Sequence, residues 1–447
     1  MHNQEISFMK QKLYLYTFVA ALGGLLFGFD TAVISGTIPF ITNFFNLNNT
    51  LLGYAVSSAL IGCVIGAISV GKPGDIFGRR TMLRVMAALF FISAIGTGLA
   101  NTLTIFVIFR FIGGLAVGGA SVLSPMYISE ISPAKIRGRL VATAQLAIVI
   151  GILTAFFSDC LLVGTGENNW RFMFLVEGIP ALLFFLLLFF VSRSPRWLVK
   201  MDRVDEAKSV IQSVNPNTDT EMVIKDIVQS INKEIFAHSI VLFKKPYLRL
   251  VVMGIVVGMF NQLTGINTIM YYAPSIFKSA GFTDDSALMQ TVMIGVTNLV
   301  FTIVAMSVID KLGRKFLLIL GACGMSIFLG LFAITYLKEA FEGYLLLIYL
   351  IGFAAFFASS QGVVIWVILS EMFPNNIRAR ASSIGSFSVW FFNVITSFLF
   401  PIAAGKFGIG YIFIFYSITT AISLFFFIKY LMETKGKSLE ELEKVVL

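Results

Sequence analysis

GKPGDIFGRR at residues 71–80 and DKLGRK at 310–315 are two copies of one charged loop, set in a chain that is otherwise mostly hydrocarbon. Asp75, Gly78, Arg79 and Arg80 return as Asp310, Gly313, Arg314 and Lys315, an offset of 235 positions. A second pair keeps nearly the same offset: Glu130 and Arg137, in YISEISPAKIRGR, return as Glu371 and Arg378 in SEMFPNNIRAR. Order, spacing and charge are preserved together, so the chain reads as a duplicated unit of roughly 220–240 residues. The doubled loops mark one face of a membrane protein built from two halves.

Composition excludes most other classes. Hydrophobic residues make up 57% of the 447, charged residues 13%, and the mean hydropathy is +0.88. An ordinary soluble domain carries about a quarter of its residues as charges. Runs long enough to cross a bilayer, roughly 20 residues each, fall near 14–35, 51–71, 82–101, 104–124, 140–161, 172–191, 251–272, 289–309, 316–337, 344–369, 382–402 and 409–430. The expected fold is therefore an all-α membrane protein with twelve transmembrane helices in two six-helix bundles. Residues 1–191 and 251–447 form the halves, and 192–250 is a polar segment with short cytoplasmic helices. Gly113, Gly114, Gly118 and Gly119 in the fourth run suit close helix packing.

A net charge of +9 raises the question of nucleic acid, and the placement of the charges answers it. Of 33 Lys and Arg, 28 lie at the N-terminus, in the loops 72–84, 131–139, 310–315 and 375–380, in the segment 192–249, and in the tail from Lys429. By the positive-inside rule both termini and the central segment are cytoplasmic, and the basic charge is a topology signal rather than a nucleic-acid footprint. The inner membrane of a bacterium and a monomer are expected.

Other signals are bland. Cys63, Cys160 and Cys323 lack metal or disulfide spacing and read as buried packing residues. The first apolar run has full span length and reads as a span rather than a cleaved signal. With no phosphate-cradling loop, nucleophile triad or metal cluster, neither an enzyme nor a cofactor is expected. In the central segment Ser194-Pro195 has the form of a helix cap followed by proline. Val223, Ile227, Ile231 and Ile235 recur at helical spacing in a second helix, and Ser438 with Glu441 forms a capping box in the tail. The segment is either a latch between the halves or a solvated linker.

Taken together, several stretches closely resemble the sugar porters of the major facilitator superfamily, within it the bacterial proton-coupled monosaccharide symporters of xylose, glucose or galactose type. They are GGLLFGFDTAVISG (23–36), the loop at 71–80, RFIGGLAVGGASVLSPMYISEISPAKIRG (110–138), SPRWL (194–198), NQLTGINTIMYYAPSIF (261–277), DKLGRK (310–315), SEMFPNNIRA (370–379) and ETKGKSLEELE (433–443). The loop alone would indicate the superfamily; its combination with PMYISE, SPRWL and QLTGIN points to sugar porters. The resemblance implies two bundles that rock around a central site and take a monosaccharide and a proton as partners in lipid. Its sugar-contacting positions match Gln145 in the fifth span, Asn261, Gln262, Asn267, Tyr271 and Tyr272 in the seventh, Trp366 in the tenth, and Trp390 and Asn393 in the eleventh. Amides offer paired donors and acceptors for sugar hydroxyls, and indole faces suit the C–H side of a pyranose; the alternative use of such amides is hydrogen bonding between helices.

Departures from the family pattern bear on the substrate and the gate. Gly362 is followed by Val363, Val364 and Ile365 where prolines are usual, which argues against flexing of the tenth span, and Val389 replaces a frequent amide. Arg193 stands ahead of SPRWL in place of an acid, and Met432 ahead of ETKGKS in place of proline.

Asp30 is a carboxylate in the middle of the first span, a costly position that signals function, and Arg110 is its expected partner. In the family, an acid here accompanies proton coupling and an amide accompanies passive transport. Asp75, Arg79, Arg80, Glu130, Arg137, Asp310, Arg314, Glu371 and Arg378 can pair at the cytoplasmic helix ends and are expected to act as a gate that forms when the inside is closed. The reading is a proton-coupled monosaccharide importer working by alternating access. A uniporter of the same fold, an exporter of the superfamily and a non-transporting sugar sensor are the alternatives.

Overall fold

The computed structural model describes residues 2–133, 136–216, 218–237, 242, 247–341, 343–373 and 377–435; for 2–10, 232–237, 370 and 379 it describes the backbone alone. The tail helix expected at Ser438 and Glu441 lies outside the described residues. Among the described residues the chain is helical without strands, and twelve helices are long and apolar enough to cross a membrane. In order these are Gln11–Phe44, Asn49–Ser69, Arg79–Gly98, Leu103–Ile131, Arg137–Thr165, Asn169–Leu187, Leu248–Ser279, Asp284–Leu312, Arg314–Leu337, Leu345–Leu369, Arg380–Phe407 and Ile409–Tyr430. All twelve expected spans are present. Ten of them extend past the apolar run at one end or both, because a helix, once formed, continues through flanking polar residues until a cap or glycine stops it.

By contact the chain falls into two compact units, Met1–Asp30, Gly62–Gly151 and Phe174–Ser239 in the first, Thr31–Ile61, Ile152–Met173 and Ile240–Leu447 in the second. Within the first unit the second and fourth spans approach through glycine. A Cβ on Gly62 would fall 2.3 Å from the Phe111 carbonyl, and one on Gly118 2.1 Å from that of Cys63. Gly119 makes room for the Met86 sulfur and Gly113 for Ser93 and Asp30. Without a hydrophobic force between helices in lipid, such close packing supplies their attraction. Cys63 is buried as expected, but Cys160 is half-buried and Cys323 is exposed on the ninth span. Hydrocarbon solvates a thiol about as well as a protein core does, so burial is not required of it.

The polar segment between the sixth and seventh spans forms the helices Pro195–Lys200, Val204–Val214 and Thr220–Ala237. Ser194 caps the first as its sequence suggests, its hydroxyl accepting from the Trp197 backbone N–H at 3.3 Å. The helix Thr220–Ala237 carries Val223, Ile227 and Ile231, as their spacing predicts; the helix at 204–214 has no counterpart in that reading.

Two spans are interrupted. The seventh consists of Leu248–Gln262 and Ile266–Ser279, joined through Leu263, Thr264 and Gly265. Gly265 has φ +79°, and a Cβ on it would lie 2.4 Å from the ring of Tyr416. The Leu263 carbonyl freed by the break accepts from the Thr419 hydroxyl of the twelfth span at 2.7 Å, and Thr264 Oγ donates to the Asn261 carbonyl at 2.8 Å. Side chains thus replace the lost helical bonds, which hydrocarbon cannot do. The tenth span consists of Leu345–Ala358 and Gln361–Glu371. No proline is present here, as the sequence shows, and the break comes instead at Ser359 and Ser360, whose hydroxyls donate to the Ala355 and Phe356 carbonyls and compete with the helix. Gly321 of the ninth span leaves the space that Ser360 occupies.

The break in the seventh span yields a stability prediction. Gly281 has φ +91° and no neighbour where its Cβ would be, whereas Gly265 has a comparable φ and the Tyr416 ring in contact. Gly281→Ala is expected to cost about 1–2 kcal/mol for the left-handed conformation alone. Gly265→Ala should cost about 1–3 kcal/mol more from overpacking. Thermal unfolding of both purified variants in one detergent checks this; equal losses would remove the steric role assigned to Tyr416.

Candidate functional site

In the second unit the breaks in the seventh and tenth spans bring amides together. Asn267 Nδ2 donates to Gln262 Oε1 at 2.7 Å, and Gln262 Nε2 donates to Asn261 Oδ1 at 2.8 Å. Asn261 Nδ2 in turn reaches the side-chain and main-chain oxygens of Gln361 at 3.4 and 3.5 Å. The four amides form one chain of donors and acceptors across two helix ends. Gln361 is completely buried and its Nε2 has no partner. A buried amide that spends one end on a neighbour and leaves a donor open is ready to take a ligand oxygen. The sequence reading names three members of this chain and misses Gln361. Its signal is an amide directly after two serines and before Gly362, inside an apolar run.

The other expected sugar-contacting residues differ in how committed they are. Asn393 Nδ2 donates to the Tyr271 hydroxyl at 3.4 Å, and Asn393 Oδ1 accepts from Ser397 at 3.0 Å. The Tyr272 hydroxyl donates to the Ser397 carbonyl at 3.0 Å, and its ring packs on Phe400, so that side chain ties the seventh span to the eleventh. Trp390 is buried beside Val389, whereas Trp366 is 38% exposed on the tenth span. Gln145 lies half-buried on the fifth span in the first unit.

The first unit holds the expected charge pair. Arg110 Nη1 donates to Asp30 Oδ1, Nη2 donates to the Asp30 carbonyl at 3.0 Å, and both side chains are almost fully buried. The guanidinium also sits over the Phe174 ring at 5.3 Å. Asp30 Oδ2 has no partner, and it lies where a Cβ on Gly113 would come within 2.8 Å. A third ionisable group joins them: Glu177 of the sixth span is buried, feels the charges of both Asp30 and Arg110, and has Oε1 unpartnered. Two buried carboxylates that act on each other electrostatically cannot both be charged without cost. The argument that singles out Asp30, an acid within an apolar span, extends to Glu177 and, nearer the end of its span, to Asp159 of the fifth, and the sequence reading overlooks both.

The duplicated loops make duplicate contacts. Arg79 pairs with Asp75 at 2.7 Å and with Glu130 at 3.1 Å; Arg314 pairs with Asp310 at 2.9 Å and with Glu371 at 3.1 Å. The repeat reaches further than the sequence suggests. The Ser194 hydroxyl donates to Glu130, and the Thr434 hydroxyl donates to Glu371 at 2.6 Å. Arg137 donates to the Ser132 carbonyl at 3.4 Å and Arg378 to the Phe373 carbonyl at 3.1 Å, each five residues back, where a cation complements a helix C-terminus. Arg80 donates to the Val191 carbonyl at 2.8 Å rather than to a carboxylate.

Residues outside the expected set complete these clusters. Lys200 pairs with Asp75 at 3.0 Å, and Trp197 donates its indole N–H to the Asp75 carbonyl while its ring covers Gly78, where φ is +86°. Burial raises the Asp75 carboxyl, but the Lys200 hydrogen bond and the Arg79 charge outweigh it and hold it below the usual carboxylate range. Glu433 is likewise raised by burial yet held low overall, by backbone N–H groups that include those of Arg314 and Lys315, each 3.0 Å away. It does for the second loop what an acid at a helix N-terminus does in general. Such partners come from segments more than a hundred residues away, beyond the reach of local pattern.

Residues 16–446 match the family model described as "Sugar (and other) transporter". The chain is 40% identical to the D-xylose-proton symporter of Escherichia coli (strain K12), covering 96% of this chain and 95% of that protein. It is 37% identical to the arabinose-proton symporter of Bacillus subtilis (strain 168), covering 96% and 94%. Among solved structures it superposes with a TM-score of 0.86 on the xylose transporter XylE from E. coli in a partially occluded inward open conformation, at 38% identity over 96% of this chain and 100% of that one. This chain, a multi-pass membrane protein, therefore belongs to the sugar (and other) transporter family.

Proposed function

We propose that this chain is a symporter that imports a monosaccharide with a proton across the cytoplasmic membrane by alternating access. The observation that carries the reading is the buried Asp30–Arg110 pair with Glu177 beside it, in a chain that also holds an open amide cluster. Driving sugar uphill requires a group that binds a proton in one conformation and loses it in another. Asp30 has that chemistry, because burial favours its neutral form and Arg110 its charged form, so a small change in their separation switches it. Relatives at 37–40% identity bear names of pentose–proton symporters, which supports xylose or arabinose first among substrates, with hexoses next.

The sugar contacts are proposed at Gln145, Asn261, Gln262, Asn267, Tyr271, Tyr272, Trp366, Trp390 and Asn393, with Gln361 added in place of the amide missing at Val389. The halves are 1–191 and 251–447, joined by 192–250, with both termini cytoplasmic and the protein a monomer in a bacterial inner membrane. This division rests on the duplicated loops and their basic charge. The charged pairs of the two loops form the cytoplasmic gate. A facilitative uniporter of the same fold is the second reading, and it differs at Asp30.

Three experiments test these assignments. Asp30→Asn keeps the size of the side chain and cannot titrate. The variant should exchange D-xylose or D-glucose down a gradient in proteoliposomes and fail to concentrate either under an imposed pH gradient. Accumulation at the wild-type level would sink coupling through Asp30, and a wild type indifferent to pH would favour the uniporter.

Gln262→Ala and Asn267→Ala each remove a link of the amide chain and should weaken sugar binding by about 1–3 kcal/mol while the fold persists. Titration calorimetry measures this, and unchanged affinity in both variants would take the cluster out of the site. Arg137→Ala and Arg378→Ala free the carbonyls they cap and should shift the protein towards its inward-open state. An unaltered pattern of thiol accessibility from the two sides would dissociate these residues from the gate.

A further inference from the structure

The fifth span holds a carboxylate that coupling through Asp30 leaves unused. Asp159 has no exposed surface at all. Its Oδ2 accepts from the Gly36 backbone N–H at 3.2 Å, and its Oδ1 has no partner. Residue 36 must be glycine for this contact, since a Cβ there would lie 2.5 Å from the carboxyl group. Ser35 is buried with its hydroxyl oxygen unpartnered, and Pro39 has no N–H to give to the Ser35 carbonyl. The acid therefore enters the first span where that helix's own hydrogen bonding is weakened, beside an unused hydroxyl and a carbonyl that has lost its helical donor.

No charge of the right sign meets it. Between Thr31 and Phe44 the first span has no ionisable side chain. The eighth span packs on the same part of the fifth, Gly295 against Phe156, and brings Asp284 and Asp285, both acids; Asp285 also acts electrostatically on Cys160, the residue after Asp159. Lys278 pairs with Asp284 at 2.8 Å, Arg171 lies over the Trp170 and Phe44 rings at 4.4 and 5.0 Å, and Glu167 is exposed. Among the described residues no cation lies within ion-pair distance of Asp159. An ionised carboxylate in such a place carries a desolvation cost that nothing offsets. The neutral acid keeps the acceptor for Gly36 and gains a donor on its other oxygen.

We propose that Asp159 is a second proton-binding site, which holds its proton while the first and fifth spans are packed at Gly36 and gives it up to the external solution when they part. In the release step the O–H bond breaks, its electron pair stays on the carboxylate, and the proton passes to external water; uptake reverses this from the same side. One-sided exchange moves no net charge, so the number of protons carried with each sugar is unchanged. Parting of these spans becomes easier as the external pH rises. Gly36 is six positions from Asp30 on one helix, about 9 Å along its axis, so the contact acts on the element that carries the coupling acid. Which solution Asp159 meets rests on the orientation proposed above.

Infrared spectroscopy of the reconstituted protein in the Asp30→Asn/Glu177→Gln background tests the proton directly, without sugar. At neutral pH the C=O stretch of a protonated carboxylic acid should be present and should disappear on adding Asp159→Asn; an identical spectrum would mean that Asp159 is ionised and would overturn the proposal. In the Asp30→Asn background, D-xylose or D-glucose exchange at fixed internal pH should rise several-fold between external pH of about 5.5 and about 8.5. That rise should be absent with Asp159→Asn and restored with Asp159→Glu. The same pH dependence with Asp159→Asn would refute the external gate. Loss of all sugar exchange in the wild type would instead refute the symporter reading and leave the infrared result to decide the proton site.

Discussion

Hydrocarbon offers no hydrogen bonds, and every feature of this protein that departs from an apolar helix has to be supplied with partners from within. Where the seventh span breaks, Thr419 takes up the Leu263 carbonyl and Thr264 that of Asn261. Where the tenth breaks, two serine hydroxyls bond back into the preceding turn. Each interruption is tolerated because a neighbouring span stands close enough to fill it, and the closeness comes from glycine: Gly265 against Tyr416, Gly321 against Ser360. The breaks in turn leave Asn261, Gln262, Asn267 and Gln361 as a connected run of amides instead of isolated polar groups. The amide run and the backbone satisfaction are one arrangement here.

Charge follows the same rule at three levels of partnership. At the helix ends Arg79 and Arg314 each hold two acids, and a hydroxyl from a distant segment shares the less exposed one. In the first unit Arg110 pairs with Asp30, and the charges of both act on the buried Glu177. Asp159 has a single backbone N–H and no cation.

Much of this was legible in the chain. Twelve apolar runs, two copies of a basic loop and an acid in the first span are statements about composition and spacing, and lipid reads composition directly: a stretch of twenty apolar residues has few options besides a membrane helix. The motifs around QLTGIN and PMYISE likewise carry the family, and with it most of the residues of the amide cluster. Other features were out of reach. The break at Ser359 and Ser360 runs against the absence of proline, because serine interrupts a helix only when a cleft such as that at Gly321 admits it. Glu177 was as visible as Asp30, but its electrostatic link to Asp30 and Arg110 was not.

What the amino-acid sequence determined by itself is the class of solvent, the number of spans, the duplication and the identity of the charged loops, since these depend on local apolar length and on residue type. What only the tertiary structure decided is which polar groups meet. Gln361 beside Asn261, Thr434 on Glu371, Glu433 under the Arg314 and Lys315 amides, and Asp159 against Gly36 join residues between 63 and 123 positions apart. A buried polar group is satisfied or left wanting by its neighbours in space, and that neighbourhood exists once the helices have packed.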